Sequence, residues 1–113
     1  MVYQTDDLQL GEEKYTLVAS SDMVEEGDMV DIFFGKEILV LARVNGTVHA
    51  VNGICSHAYA ELVDGELDEH CLYCPLHFAG FDIRDGSVVE GPADQPISVY
   101  QVVEQDGSIW IKE

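Results

Sequence analysis

Glu37-Ile38-Leu39-Val40-Leu41-Ala42-Arg43-Val44-Asn45-Gly46-Thr47-Val48-His49-Ala50-Val51 is the stretch that decides the fold. Positions 38–42 are apolar without a break, so a strand through them has side chains to bury on both faces and belongs in the interior of a sheet. Asn45-Gly46 is the dipeptide of a two-residue hairpin turn. The β-rich run 47–51 then returns antiparallel to the first strand.

The same punctuation recurs on either side. Asp64-Gly65, Asp85-Gly86 and Asp106-Gly107 are further turn dipeptides, and Gly35-Lys36 is another tight connection. Strands are expected over 15–19, 30–34, 37–44, 47–51, 97–103 and 108–112, the last (Ser-Ile-Trp-Ile-Lys) apolar enough for a second interior position. No segment keeps a helical period over three turns, so the chain reads as all-β with antiparallel hairpins.

Between the hairpin at Asn45-Gly46 and the last strands the pattern changes. Residues from about 54 to 89 read as a lobe inserted into the β framework, with short strands near 71–74 and 80–83. Glu90-Gly91-Pro92-Ala93-Asp94-Gln95-Pro96 holds two of the three prolines and is expected to be a stiff loop. Residues 1–14 read as an acidic extension, poorly ordered before Tyr15.

At 113 residues the whole chain, 1–113, is expected to form one domain. With 22 acidic residues against 5 basic ones the formal charge is −17, which repels nucleic acid and anionic membranes alike and favours a partner with basic residues. Residues 1–13 contain Asp6, Asp7, Glu12 and Glu13 and no apolar run, so neither a signal peptide nor an anchor is expected there. The reducing cytoplasm is the expected location, and three cysteines there do not suggest a disulfide framework.

Two of those cysteines sit in short metal-ligand patterns, Cys55-Ser56-His57 and Cys74-Pro75-Leu76-His77, with sixteen residues between them. A thiolate and an imidazole this close in sequence can point into one small volume only from a tight loop, and two facing loops enclose four donors. Zinc and iron both accept such donors, and the spacing alone does not choose between them. Cys71 is left over. With Cys74 it forms a Cys-x-x-Cys pair that suits a redox dithiol or half a zinc site, but a lone cysteine is more commonly a small buried hydrophobe. His49 reads as a strand residue and His70 as a surface residue, neither having a cysteine at ligand spacing.

Cys55-x-His57, sixteen residues, then Cys74-Pro75-x-His77 followed by Phe81-Asp82 resembles the Rieske [2Fe–2S] family. The similarity runs from about Tyr15 to the C-terminus. It implies an antiparallel β-sandwich with an inserted cluster-binding lobe, and one [2Fe–2S] cluster held by Cys55 and Cys74 on one iron and by His57 and His77 on the other. Phe78 stands where the family often has Gly. Two ferric ions, two sulfides, two thiolates and two neutral imidazoles sum to zero charge, against −2 for four thiolates, so this ligation is the easier to reduce. High-potential members carry an extra Cys in each cluster loop, and a Ser and a Tyr that donate to sulfur. The matching positions here are Ala60, Leu76, Ala79 and Phe81, so the resemblance implies the low end of the roughly −150 to +300 mV Rieske range.

No anchor and no second iron-binding domain are visible in the sequence. The resemblance therefore implies a small cytoplasmic ferredoxin, not itself an enzyme. It would carry one electron from an NAD(P)H-dependent flavoprotein reductase to the terminal oxygenase of an aromatic-ring dioxygenase system. Tyr59 and Phe78, beside the ligand histidines, form an apolar docking tip or simply shield the cluster. Two other readings are the small subunit of an assimilatory nitrite reductase and a zinc-bound interaction module without redox function.

Overall fold

A computed structural model describes residues 7–56, 59–76, 78–91 and 95–113. Among these residues twelve strands follow one another: β1 (Asp7–Leu10), β2 (Glu13–Ser20), β3 (Met29–Phe34), β4 (Glu37–Val44), β5 (Thr47–Asn52), β6 (Glu66–Asp68), β7 (Cys71–Tyr73), β8 (Gly80–Asp82), β9 (Val88–Glu90), β10 (Val99–Tyr100), β11 (Val102–Gln105) and β12 (Ser108–Lys112). The only helical elements among the described residues are single 3-10 turns at Ser21–Met23 and Leu62–Asp64.

The strands form three antiparallel sheets in the orders β1-β2-β12-β11, β10-β5-β4-β3 and β6-β7-β8-β9. As expected, β4 and β12 are interior. Leu39 and Leu41 on one face of β4 pack with Val48, Ala50, Ile109 and Ile111 against the first sheet. Val40, Ala42 and Val44 on the other face pack with Leu72 and Phe81 of the third sheet and with Ile83 just beyond β8. The alternation along one strand thus builds both cores, and the middle sheet is the shared wall. The third sheet lies within the expected lobe and runs one residue past it, to Glu90.

Two expectations need correction. The run 97–103 is not one strand: β10 pairs with β5 and β11 with β12, and the chain changes sheets at Gln101, whose carbonyl accepts the Lys112 amide. The acidic extension, expected to be poorly ordered, contains β1, which pairs with β2 across Leu8 and Tyr15 through a turn at Gly11. Backbone pairing needs no continuous apolar run, and Leu8 and Leu10 already alternate with polar neighbours. Residues 1–6 lie outside the described residues. So do 92–94, which belong to the expected proline loop.

Candidate metal centre

Each cysteine of the two ligand patterns heads a loop closed in the same way. The Cys55 amide donates to the Ala60 carbonyl at 3.0 Å, and the Cys74 amide to the Ala79 carbonyl at 2.8 Å, so both loops close five residues beyond their cysteine. The first loop springs from the end of β5. Asn52 Oδ1 accepts the Ile54 amide at 2.8 Å, Gly53 donates to the Ile38 carbonyl at 2.8 Å, and Ile54 bridges Glu61. The second is the turn between β7 and β8, where the Phe78 amide returns to the Cys74 carbonyl at 3.1 Å.

Cys55 and Cys74 are both buried and belong to the same apolar core with Ala60, Leu62, Leu72, Ala79 and Phe81. None of the three cysteines forms a disulfide. Two buried thiols at the heads of matching loops, walled by small and apolar side chains, suit a cluster that takes thiolate ligands and is kept from water. Among the described residues no three His, Cys, Asp or Glu side chains stand together as a metal site. The other two expected ligands, His57 and His77, lie outside the described residues, as does Ala58.

Phe78 adopts φ +59°, a left-handed conformation that glycine accepts freely and a phenylalanine enters at a cost of about 1–2 kcal/mol. That backbone requirement explains why glycine is common at this position; the loop here keeps the turn and bears the strain, and nothing in the structure explains the phenylalanine. The side chain is 63% exposed, alongside Leu76 at 55% and Tyr59 at 84%, so both loops carry uncovered apolar groups. Ser56 Oγ donates to the Gln95 carbonyl at 2.6 Å and ties the first loop to the segment that follows the third sheet. At the root of the lobe a side chain at Gly65 would run into the Tyr73 carbonyl, so only glycine lets the chain pass there.

Cys71 stands apart. Strand alternation turns Leu72 and Cys74 into the core and Cys71 with Tyr73 to the opposite face, which removes the dithiol reading. Burial raises the Cys71 thiol pKa, with the Tyr73 hydroxyl opposing. The rings of His49, expected as a strand residue, and His70, expected as a surface residue, meet at 5.6 Å and 89°. Twenty-one positions separate them in the chain, and no local pattern signals the contact. Burial first, then His70 and Arg84, lowers the His49 pKa. Asp82 receives Arg84 through Oδ1 to Nε at 3.0 Å and Oδ2 to Nη2 at 2.7 Å, which with its other contacts holds its pKa near 2.

Three antiparallel sheets and two cysteine-headed loops over one core define a β protein with a candidate paired-loop site. The Rieske [2Fe-2S] domain model matches residues 13–101, and the chain belongs to that family. The ferredoxin component of a naphthalene 1,2-dioxygenase system from Pseudomonas putida is 35% identical over 85 residues, which is 75% of this chain and 81% of that one. Among solved structures, a Sphingomonas yanoikuyae B1 ferredoxin superposes with a TM-score of 0.84 at 30% identity over 88% of this chain and 98% of its own. The ferredoxin of carbazole 1,9a-dioxygenase from Nocardioides aromaticivorans IC177 does so at 0.83 and 28% over 86% and 95%. The chain is accordingly a ferredoxin of the dioxygenase-component type with one Rieske [2Fe–2S] cluster, an electron carrier and not an enzyme. No described helix is long and apolar enough to cross a membrane.

Proposed function

We propose that this chain is a soluble cytoplasmic shuttle that takes one electron from an NAD(P)H-dependent flavoprotein reductase and delivers it to the terminal oxygenase of an aromatic-ring dioxygenase. Cys55 and Cys74 would bind one iron of the cluster, and His57 and His77 the other. A cluster so held supplies a one-electron couple and nothing else.

The observation that carries this reading is the matched closure of the two loops, Cys55 to Ala60 and Cys74 to Ala79, over one apolar core. The buried cysteines hold their sulfurs away from water. Tyr59, Leu76 and Phe78 offer an apolar contact surface, and the −17 charge draws a basic partner into encounter.

Reconstitution with NAD(P)H, a flavoprotein reductase and a terminal oxygenase tests it. Product formation should require the chain and should stop in the His57→Ala or Cys74→Ser variant. Turnover that proceeds equally well without the chain would refute the shuttle role.

A further inference from the structure

Phe33 is 75% exposed on β3, the outer strand of the middle sheet. Its direction follows from the register. Val30, Ile32 and Phe34 lie opposite Leu41, Leu39 and Glu37, on the face that packs against the first sheet. Met29, Asp31 and Phe33 lie opposite Ala42, Val40 and Ile38, on the other face. Met29, Val40 and Ala42 join the core that holds Cys55 and Cys74, so Phe33 stands on the face that carries the cluster lobe, at an end of the strand the lobe leaves uncovered.

The Phe33–Ile38 pair is joined to the centre through the backbone. Ile38 accepts the Gly53 amide at 2.8 Å, and Gly53 and Ile54 lead directly into Cys55. Phe33 thus lies two strand spacings, about 10 Å, from the root of the first cysteine loop. Half-buried Ile38, opposite Phe33 on the same face, extends the patch inward. Exposed acidic side chains flank it: Asp31 two residues along β3 on the same face, Glu61 at the bridge to Ile54, and Asp64 in the 3-10 turn that packs near β3. Lys36 is the only basic neighbour in the connecting turn.

A lone exposed aromatic needs no explanation, but an aromatic on an apolar base, flanked by carboxylates and rooted beside the redox centre, has the make-up of an interface anchor. A second copy of this chain would bring the same acidic flank against it, with −17 on each side, so self-association is the wrong occupant. We propose that Phe33 is an aromatic anchor inserted into an apolar socket, rimmed by Lys or Arg, on a protein redox partner that docks beside the first cysteine loop. The proposal deepens the shuttle reading and rests on it.

The experiment compares the wild-type holoprotein with Phe33→Ala and Phe33→Leu, using the reductase and the terminal oxygenase with which the wild type turns over. The Michaelis constant for the ferredoxin is measured separately with each. Phe33→Ala should raise it at least tenfold with one partner, and Phe33→Leu should restore most of the loss. The maximal rate, visible spectrum and reduction potential should stay unchanged. A change below twofold with both partners would overturn the proposal, as would a wild-type dimer in sedimentation that Phe33→Ala dissociates. If the wild type itself is not turned over, it is the shuttle reading that fails, and the two failures are told apart.

Discussion

Arg43 grips the Glu104 carboxylate with both guanidinium arms, Nη1 to Oε1 at 3.0 Å and Nη2 to Oε2 at 2.7 Å. The same side chain donates Nε to the Val24 carbonyl, Nη2 to Ser21 and Nη1 to Gly46, so one residue of β4 ties the first sheet, the 3-10 turn and the hairpin together. An exposed ion pair contributes little, but this one is mostly covered and also satisfies three backbone carbonyls. Arg43→Ala should therefore cost about 2–4 kcal/mol, and Arg43→Lys less, because an ammonium cannot form the planar fork. Urea denaturation of the three proteins checks this ordering. Equal stability would show that the knot is dispensable.

Acid should weaken the fold in two stages. The Glu104 carboxyl is held below its ordinary pKa by the Arg43 hydrogen bond, Glu26 by the backbone amides of Gly46 and Asn45, and Asp82, at about 2, by Arg84. Lowered carboxylate values favour the ionised folded form. Their contribution is whole above the unfolded values near 4 and is lost as the pH falls through the folded ones. His49 also has a lowered value, so the folded state resists its protonation and loses stability as the pH drops below about 6.5. Melting temperature against pH should show a first decline setting in below about 6.5 that His49→Gln removes, then a steeper one towards pH 2 that Asp82→Asn reduces. A profile with no decline below pH 6 in either protein would contradict both assignments.

Gly46 and Gly86 share a left-handed backbone, φ +80° and +81°, in different surroundings. An alanine at Gly46 meets nothing within 4 Å, so Gly46→Ala should cost only the conformational penalty of about 1–2 kcal/mol. At Gly86 the added methyl would collide with the Ile97 carbonyl, part of the backbone joining the lobe to the middle sheet. Gly86→Ala should lose more than about 3 kcal/mol. Comparable losses for the two would mean that the close approach to Ile97 relaxes without cost.

Ala79 and Phe81 are fully buried in the core that contains both loop cysteines. Neither side chain can donate to sulfur, so the reduction potential should lie at the low end of the roughly −150 to +300 mV range. A donor that favours the reduced form by about 1 kcal/mol raises a one-electron potential by about 40 mV. Ala79→Ser and Phe81→Tyr should each move the potential upward by that order in a redox titration. A wild-type potential well above zero, or a downward shift in both variants, would refute the link between missing donors and low potential.

What the sequence disclosed was local. The five-residue apolar run of β4 demanded two buried faces, and the Asn45-Gly46 and Asp106-Gly107 turns fixed their hairpins, because one strand or one dipeptide carries each signal. The break at Gln101 was illegible: Val99, Tyr100, Val102 and Val103 all suit a strand, and only the competing partners β5 and β12 divide them. The strand at Asp7–Leu10 was hidden by its polar composition. At the centre, the two cysteine patterns were plain, but the left-handed turn at Phe78 was not, since the side chain there argues against it. The His49–His70 contact depends on the β6–β7 turn folding back onto β5, which no spacing rule encodes.

Pulsed electron paramagnetic resonance on the reduced holoprotein, grown with 15N-histidine, tests the central claim most directly. The account predicts iron and sulfide in equal amounts and two histidine nitrogens coupled to the cluster, with His57→Ala and His77→Ala each abolishing the signal. A cluster coupled to no histidine nitrogen, or a colourless protein holding zinc, would contradict it.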